Sequence, residues 1–153
     1  MNDDVRQLYE RHGPALLAYA SALLRDPSAA EDVVHQVFLR LLRKRVAMNG
    51  EPAPYLFRAV RNTALNHIRG QSREVELADA CVWLESPDGS VETSLALQSA
   101  LNALPAEQRE MVVLKTWGQL TFEEAATVVG IPANTAASCY RYGIQKLKEI
   151  WHD

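Results

Sequence analysis

The stretch TFEEAATVVGIPANTAASCYRYGIQKL, Thr121 to Leu147, leaves the chain few ways to fold. Thr121 and Glu124 stand at capping-box spacing, so a helix is predicted to begin here with both of its first orphan N–H groups satisfied. The apolar run behind them stops at Gly130, the residue type that tolerates the left-handed conformation ending a helix. Ile131-Pro132 then turns the chain, and a second helix is predicted from about Asn134 to Trp151. Ala125 and Ala126 are small enough for two helices to cross closely, and Ile131 plugs the space between them. Ala136, Tyr140, Gly143 and Leu147 recur at helical spacing and define an inward face. Asn134, Ala137, Ser138, Arg141 and Gln145 fall on the other face. The result is a helix-turn-helix from Thr121 to about Ile150.

The rest of the chain also follows helical periodicity, and no stretch alternates as a strand. Val5, Leu8, Tyr9, Leu16, Leu17, Tyr19, Ala20, Leu23 and Leu24 mark a first stretch, which Gly13-Pro14 is expected to kink or split and Asp26-Pro27 to end. Ser28 to Glu31 reads as another capping box. The helix behind it should bury Val33, Val34, Val37, Phe38, Leu41 and Leu42 and close on Arg43-Lys44-Arg45, cations suited to the negative helix end. Asn49 to Pro54 is a turn. A third helix is predicted from about Pro54 to Gln71, with Leu56, Ala59, Val60, Thr63, Ala64 and Ile68 inward and Tyr55 largely in the core. Residues 75–94 are acidic and hold the turn signal Ser86-Pro87-Asp88-Gly89, which marks a linker with Trp83 as a hydrophobic plug. Val91 to Leu104 forms the next helix, and Pro105 opens another whose core face is Met111, Val112 and Leu114.

The net charge of -3 over 153 residues argues at first against a nucleic-acid binder, but charge is local. Arg40 to Arg73 carries eight Lys/Arg against one acid, Glu51, while residues 75–94 carry five acids and no base. Cys81 and Cys139 are far apart, without the spacing of a metal-ligand set, so no zinc site and no cofactor is expected. Cys139 reads as a small packing residue. The start MNDDVRQLYE lacks a basic, apolar leader, which makes the cytoplasm the expected compartment, without direct membrane insertion. Neither a nucleophile–base pair nor a phosphate loop is visible, so no enzyme with a small-molecule substrate is expected. No dimerisation heptad is seen, and the free chain is expected to be a monomer.

The second helix of such a motif enters the major groove, where Asn, Ser and Arg side chains read base edges or hold phosphates. Two other readings stay open on these residues alone: a stand-alone helix-turn-helix regulator, and an interaction module without promoter reading.

LNALPAEQREMVVLKTWGQLTFEEAATVVGIPANTAAS resembles the fourth region of sigma-70 family RNA polymerase sigma factors of the extracytoplasmic-function group. LYERHGPALLAYASALL, AAEDVVHQVFLRLLRK and PYLFRAVRNTALNHIRGQSR resemble the second region, in the family's order. The resemblance implies an all-α fold of two small helical domains, 1–74 and 95–153, joined by the acidic linker 75–94. It implies binding of core RNA polymerase through Asp32, His35, Gln36 and Phe38, although core packing suits Phe38 better. It implies recognition and melting of the -10 promoter element through Arg58, Arg61, Asn62, Asn66, Arg69 and Arg73, and recognition of the -35 element through Asn134, Thr135, Ser138, Arg141 and Tyr142. The linker acids would mimic RNA phosphates in the polymerase, and an anti-sigma factor is a candidate partner. The chain departs from the family pattern where Gln then Glu is usual (His35, Gln36), where Asp is frequent (Asn66), where Trp is frequent (Tyr55), and where Lys or Arg is common (Ala137, Cys139). Arg141 is the one cation on the first three turns of the last helix, so the C-terminal domain should hold DNA weakly alone. In the free chain the two domains are expected to pack together and mask DNA-binding faces.

Overall fold

Pro14 lies inside a helix that continues past it. In the computed structural model, which describes residues 2–44, 51–70 and 91–151, α1 runs unbroken over Asn2–Leu24. The expected split does not occur because the carbonyl left without an N–H partner belongs to Glu10, and both Glu10 and Pro14 are exposed, within reach of water. Gly13 is buried beneath the Tyr9 ring, with 3.7 Å from the position of a Cβ to the ring. α1 ends at Arg25, whose φ of 57° turns the chain.

α2, Pro27–Lys44, is capped by Asp26 and not by Ser28. Asp26 Oδ1 accepts from the Ser28 and Ala29 N–H groups at 3.0 and 3.3 Å. Pro27, with its φ already helical and no N–H to satisfy, takes the first helical position and moves the cap one residue ahead of itself. α3 spans Pro52–Gly70. These three helices pack on one another around Leu16, Tyr19, Val33, Val37, Leu56 and Val60. After Leu41 and Ala64 no described residue of α2 or α3 is buried, so their last turns run past the bundle. That is why Leu42 and Ile68, expected inside, are 43% and 44% exposed. Tyr55 is exposed as well, and Phe57 is fully buried in its place. Two residues along a helix is about 200° of rotation, so both rings cannot face the core.

The C-terminal half holds α4 (Val91–Asn102), α5 (Ala106–Thr116), α6 (Phe122–Val129) and α7 (Ala133–Trp151). Pro105 precedes α5 as its N-cap. α5 is buried all round from Arg109 to Leu114, because α1 lies on one side of it and α6 and α7 on the others. α3 lies along α6. Among the described residues the fold is all-α, with seven helices and no strand. One continuous core joins Leu16, Val33 and Leu56 to Leu101, Met111, Leu114 and Ala136. No described helix is long and apolar enough to cross a membrane. Arg45, the turn at Asn49-Gly50, Arg73, Cys81, Trp83 and nearly all of the 75–94 segment lie outside the described residues.

Candidate nucleic-acid interface

The helix-turn-helix forms as its local chemistry dictates. Thr121 Oγ1 accepts from the Glu124 N–H at 3.0 Å, and Glu124 Oε1 accepts from the Thr121 N–H at 2.9 Å. Gly130 takes φ 86°, and its N–H and that of Ile131 both donate to the Ala126 carbonyl, at 2.7 and 3.0 Å. Ala125, Ala126 and Ala136 are buried at the crossing. Gly143 sets the distance between α7 and α5: a Cβ there would lie 2.8 Å from Val112 Cγ2. Phe122 meets Tyr140 edge-on at 5.5 Å, and Lys115 Nζ sits 4.4 Å above the Phe122 ring.

Five -35 candidates lie on α7. Asn134, Thr135, Arg141 and Tyr142 are exposed, and Ser138 is half-buried. Arg141 donates to Ser138 Oγ at 3.4 Å and stacks over the Tyr142 ring at 5.5 Å, so the guanidinium is oriented before any ligand arrives. A shallow apolar trough is lined by Phe122, Ala137, Tyr140, Arg141, Ile144, Gln145 and Lys148. Lys148 was not among the expected readers; its position seven residues after Arg141, two turns along the same side, is the signal that could have found it. Cys139 is half-buried. Its thiol is pushed up by burial and then by Glu107 and Glu110, a setting that suits packing better than reactivity.

On α3, Arg58, Asn62, Asn66 and Arg69 are exposed, and their spacing of four, four and three places them in one row. Arg61, on the flank of that row, is only 21% exposed at its side chain. Arg73 lies outside the described residues. The tips of the first two arginines are held by the C-terminal half. Arg58 donates to the Thr127 carbonyl at 2.5 Å and the Val128 carbonyl at 3.4 Å, in the last turn of α6. Arg61 Nε donates to Glu110 Oε1 at 2.6 Å. Tyr19 Oη, from α1, donates to the same carboxylate oxygen. Burial pushes the Tyr19 hydroxyl well above the usual tyrosine range, and the Glu110 charge and hydrogen bond push the same way. For Arg61 burial acts downward, but the Glu110 hydrogen bond and charge outweigh it and the net shift is upward. A further arginine crosses nearby, Arg25 to the Asn102 carbonyl at 3.3 Å. The two halves thus pack as expected, but they cover only part of the cationic row and leave the α7 candidates Asn134, Thr135, Arg141 and Tyr142 exposed. Glu110 and Arg25 were not singled out in the sequence, and Tyr19 was marked there only as an apolar position of the first helix.

Of the α2 candidates, Asp32, His35 and Gln36 are exposed together on one side. Phe38 is buried and packs edge-on against Tyr9 at 5.1 Å, the core role that suited it better. The exposed side also carries Leu39, at 49% exposure, one helical turn after His35.

Two family models match the chain: sigma-70 region 2 over residues 8–74 and sigma-70 region 4 over residues 94–147. The ECF RNA polymerase sigma factor EcfG of Rhodopseudomonas palustris is 30% identical over 90% of this chain and 79% of its own length. The ECF RNA polymerase sigma factor SigM of Bacillus subtilis is 22% identical over 97% and 95%. Among solved structures, the sigma factor RpoE in complex with the anti-sigma factor NepR, from Bartonella quintana, superposes with a TM-score of 0.82 at 26% identity, over 97% of each chain. Two regional matches in the family's order, on a fold that carries a cationic helix and a capped helix-turn-helix, have one reading: the chain belongs to the extracytoplasmic-function group of sigma-70 RNA polymerase sigma factors and directs RNA polymerase to promoters.

Proposed function

We propose that this sigma factor divides its work between its halves. Residues 1–74 bind core RNA polymerase and melt the -10 element, residues 75–94 connect, and residues 95–153 read the -35 element. The exposed row Arg58, Asn62, Asn66 and Arg69, with Arg61 beside it, supports this most directly. Cations at helical spacing track a phosphate backbone, and the amides between them can hydrogen-bond unstacked bases. Asp32, His35 and Gln36, exposed on α2, serve the polymerase contact. Asn134, Thr135, Ser138, Arg141 and Tyr142 serve the -35 duplex. The factor carries no catalysis of its own, works in the cytoplasm and is a monomer when free. The NepR complex of RpoE supports an anti-sigma factor as a further partner.

Run-off transcription with purified core polymerase on a promoter library tests the whole reading, which fails if no complex forms. On a promoter so found, Arg61→Ala and Arg69→Ala should impair strand opening, read by permanganate footprinting, more than duplex binding. Equal loss of both removes the melting role from α3.

A further inference from the structure

Arg141 differs from the other exposed cations in that two neighbours hold its guanidinium. Nη2 donates to Ser138 Oγ at 3.4 Å, one helical turn earlier, and Cζ lies 5.5 Å from the centroid of the Tyr142 ring. The residue is nonetheless exposed. No carboxylate pairs with it among the described residues, whose ion pairs are Arg6–Glu10 and Arg61–Glu110. An exposed arginine with no acid beside it ordinarily keeps its rotamer freedom and forfeits it on binding. Here the stack and the hydroxyl restrict the plane beforehand. The Ser138 contact takes one nitrogen, so the others keep their N–H groups for a ligand. Arg141 also lines the apolar trough with Ala137 and Ile144, side chains without a polar atom to compete for those donors.

The geometry points to Arg141 as the residue that reads a guanine of the -35 duplex, with Tyr142 and Ser138 as positioning residues that set the plane of its guanidinium. Guanine presents two acceptors, N7 and O6, side by side on its major-groove edge, and the guanidinium fork matches that pair. Adenine sets an amino donor beside its N7, which repels one arm of the fork. A phosphate accepts the same donors but is a tetrahedral anion open to approach from many directions, so a fixed plane gains little there. A base edge is flat and lies in one orientation, so a fixed plane is what it rewards. Lysine would supply the charge without the fork. Tyr142 and Ser138 then serve the duplex through Arg141. The assignment rests on the reading of α7 as the -35 helix made above.

The test uses the full chain with core polymerase, selecting from promoters randomised across the -35 element. Wild type should enrich guanine at one position roughly tenfold, the scale of a bidentate base contact. 7-Deazaguanine at that position, which lacks the N7 acceptor, should lose most of the gain. Arg141→Lys keeps the charge and should abolish the preference. Tyr142→Ala should weaken it about two- to fivefold, the scale of an exposed cation–π contact, and Tyr142→Phe, which keeps the ring, should retain it. Both side chains are exposed, so the substitutions leave the core intact. A guanine preference unchanged in Arg141→Lys overturns the assignment. A uniform loss of affinity across all sequences in Arg141→Ala, with a salt dependence shallower by about one phosphate contact, overturns it as well: Arg141 would hold a phosphate, and α7 would stay on the -35 element. No preference at any -35 position in the wild-type factor refutes the reading of α7 itself. A preference lost in Arg141→Lys but untouched in Tyr142→Ala supports the reader and overturns the positioning role of Tyr142.

Discussion

Replacing Gly130 with alanine tests how the turn of the helix-turn-helix is held. Gly130 has φ 86° and ψ 37°, and a Cβ placed on it meets nothing within 4 Å. The substitution therefore carries no packing term, and its cost is the backbone one, about 1–2 kcal/mol for an L-residue in the left-handed region. For a domain pair of this size that corresponds to a Tm lower by roughly 2–8 °C. Asparagine tolerates the same region through its short polar side chain, so Gly130→Asn should lose only a fraction of this. Urea unfolding followed by far-UV circular dichroism, compared at equal m-value, reads the difference. Gly143→Ala should behave differently, because the backbone there is helical and the cost is the 2.8 Å approach to Val112. That substitution combines about 1–3 kcal/mol of overpacking with a helix-propensity gain of about 0.8–1 kcal/mol. A neutral Gly130→Ala, or a Gly130→Asn as damaging as alanine, refutes the backbone account.

Two further outcomes are expected. Phe57→Ala should cost about 3–5 kcal/mol in urea unfolding, because Phe57 is fully buried and packs against Tyr19 at 5.6 Å; a loss below about 1 kcal/mol would show that α3 does not anchor the shared core. The raised Tyr19 hydroxyl stays protonated in the fold while the unfolded tyrosine ionises near pH 10, so its stabilisation is complete below that pH and is lost as pH rises above it. Helical circular dichroism should therefore fall on alkaline titration above pH 10 and fall less steeply in Tyr19→Phe; identical titrations of the two chains contradict the assignment.

What could be read in the sequence was local. The Thr121 capping box and the Gly130 turn depend on groups within five residues, and both formed as the residue types require. The inward faces of α2, apart from Leu42, and of α5 followed from periodicity, because a helix face must be largely apolar to be covered; α5 also buries Arg109, Glu110 and Val113, which periodicity did not mark. Errors arose where two local rules competed or where distance mattered. Asp26 and Ser28 are both good caps, and the fixed φ of Pro27 between them decided in favour of Asp26. Tyr55 and Phe57 are both plausible core aromatics, and only the rotation of α3 chose between them. Glu110 had no local signal as a site, since its partners lie 91 and 49 residues away. Its one trace was an acid set directly before the apolar run Met111 to Leu114, on a helix that left no side for solvent.

The distribution of cations makes these details one argument. Along α7 the trough offers Arg141 and, two turns on, Lys148, too few phosphate contacts for strong binding when each contributes through counterion release. On the proposed reading the larger cationic surface is α3, yet Arg58 and Arg61 there each hold one nitrogen against the C-terminal half. The free protein should then bind DNA weakly for two separate reasons: a sparse recognition helix and a partly engaged melting helix. Only the second is removable by a conformational change. A partner that holds the halves apart therefore gains more DNA affinity from α3 than from α7, and promoter binding by the assembled factor should depend more steeply on Arg58 and Arg61 than binding by the free chain does. Comparing the effect of Arg58→Ala with and without core polymerase measures that difference directly, and equal effects in both states would mean that Arg58 is not released on assembly.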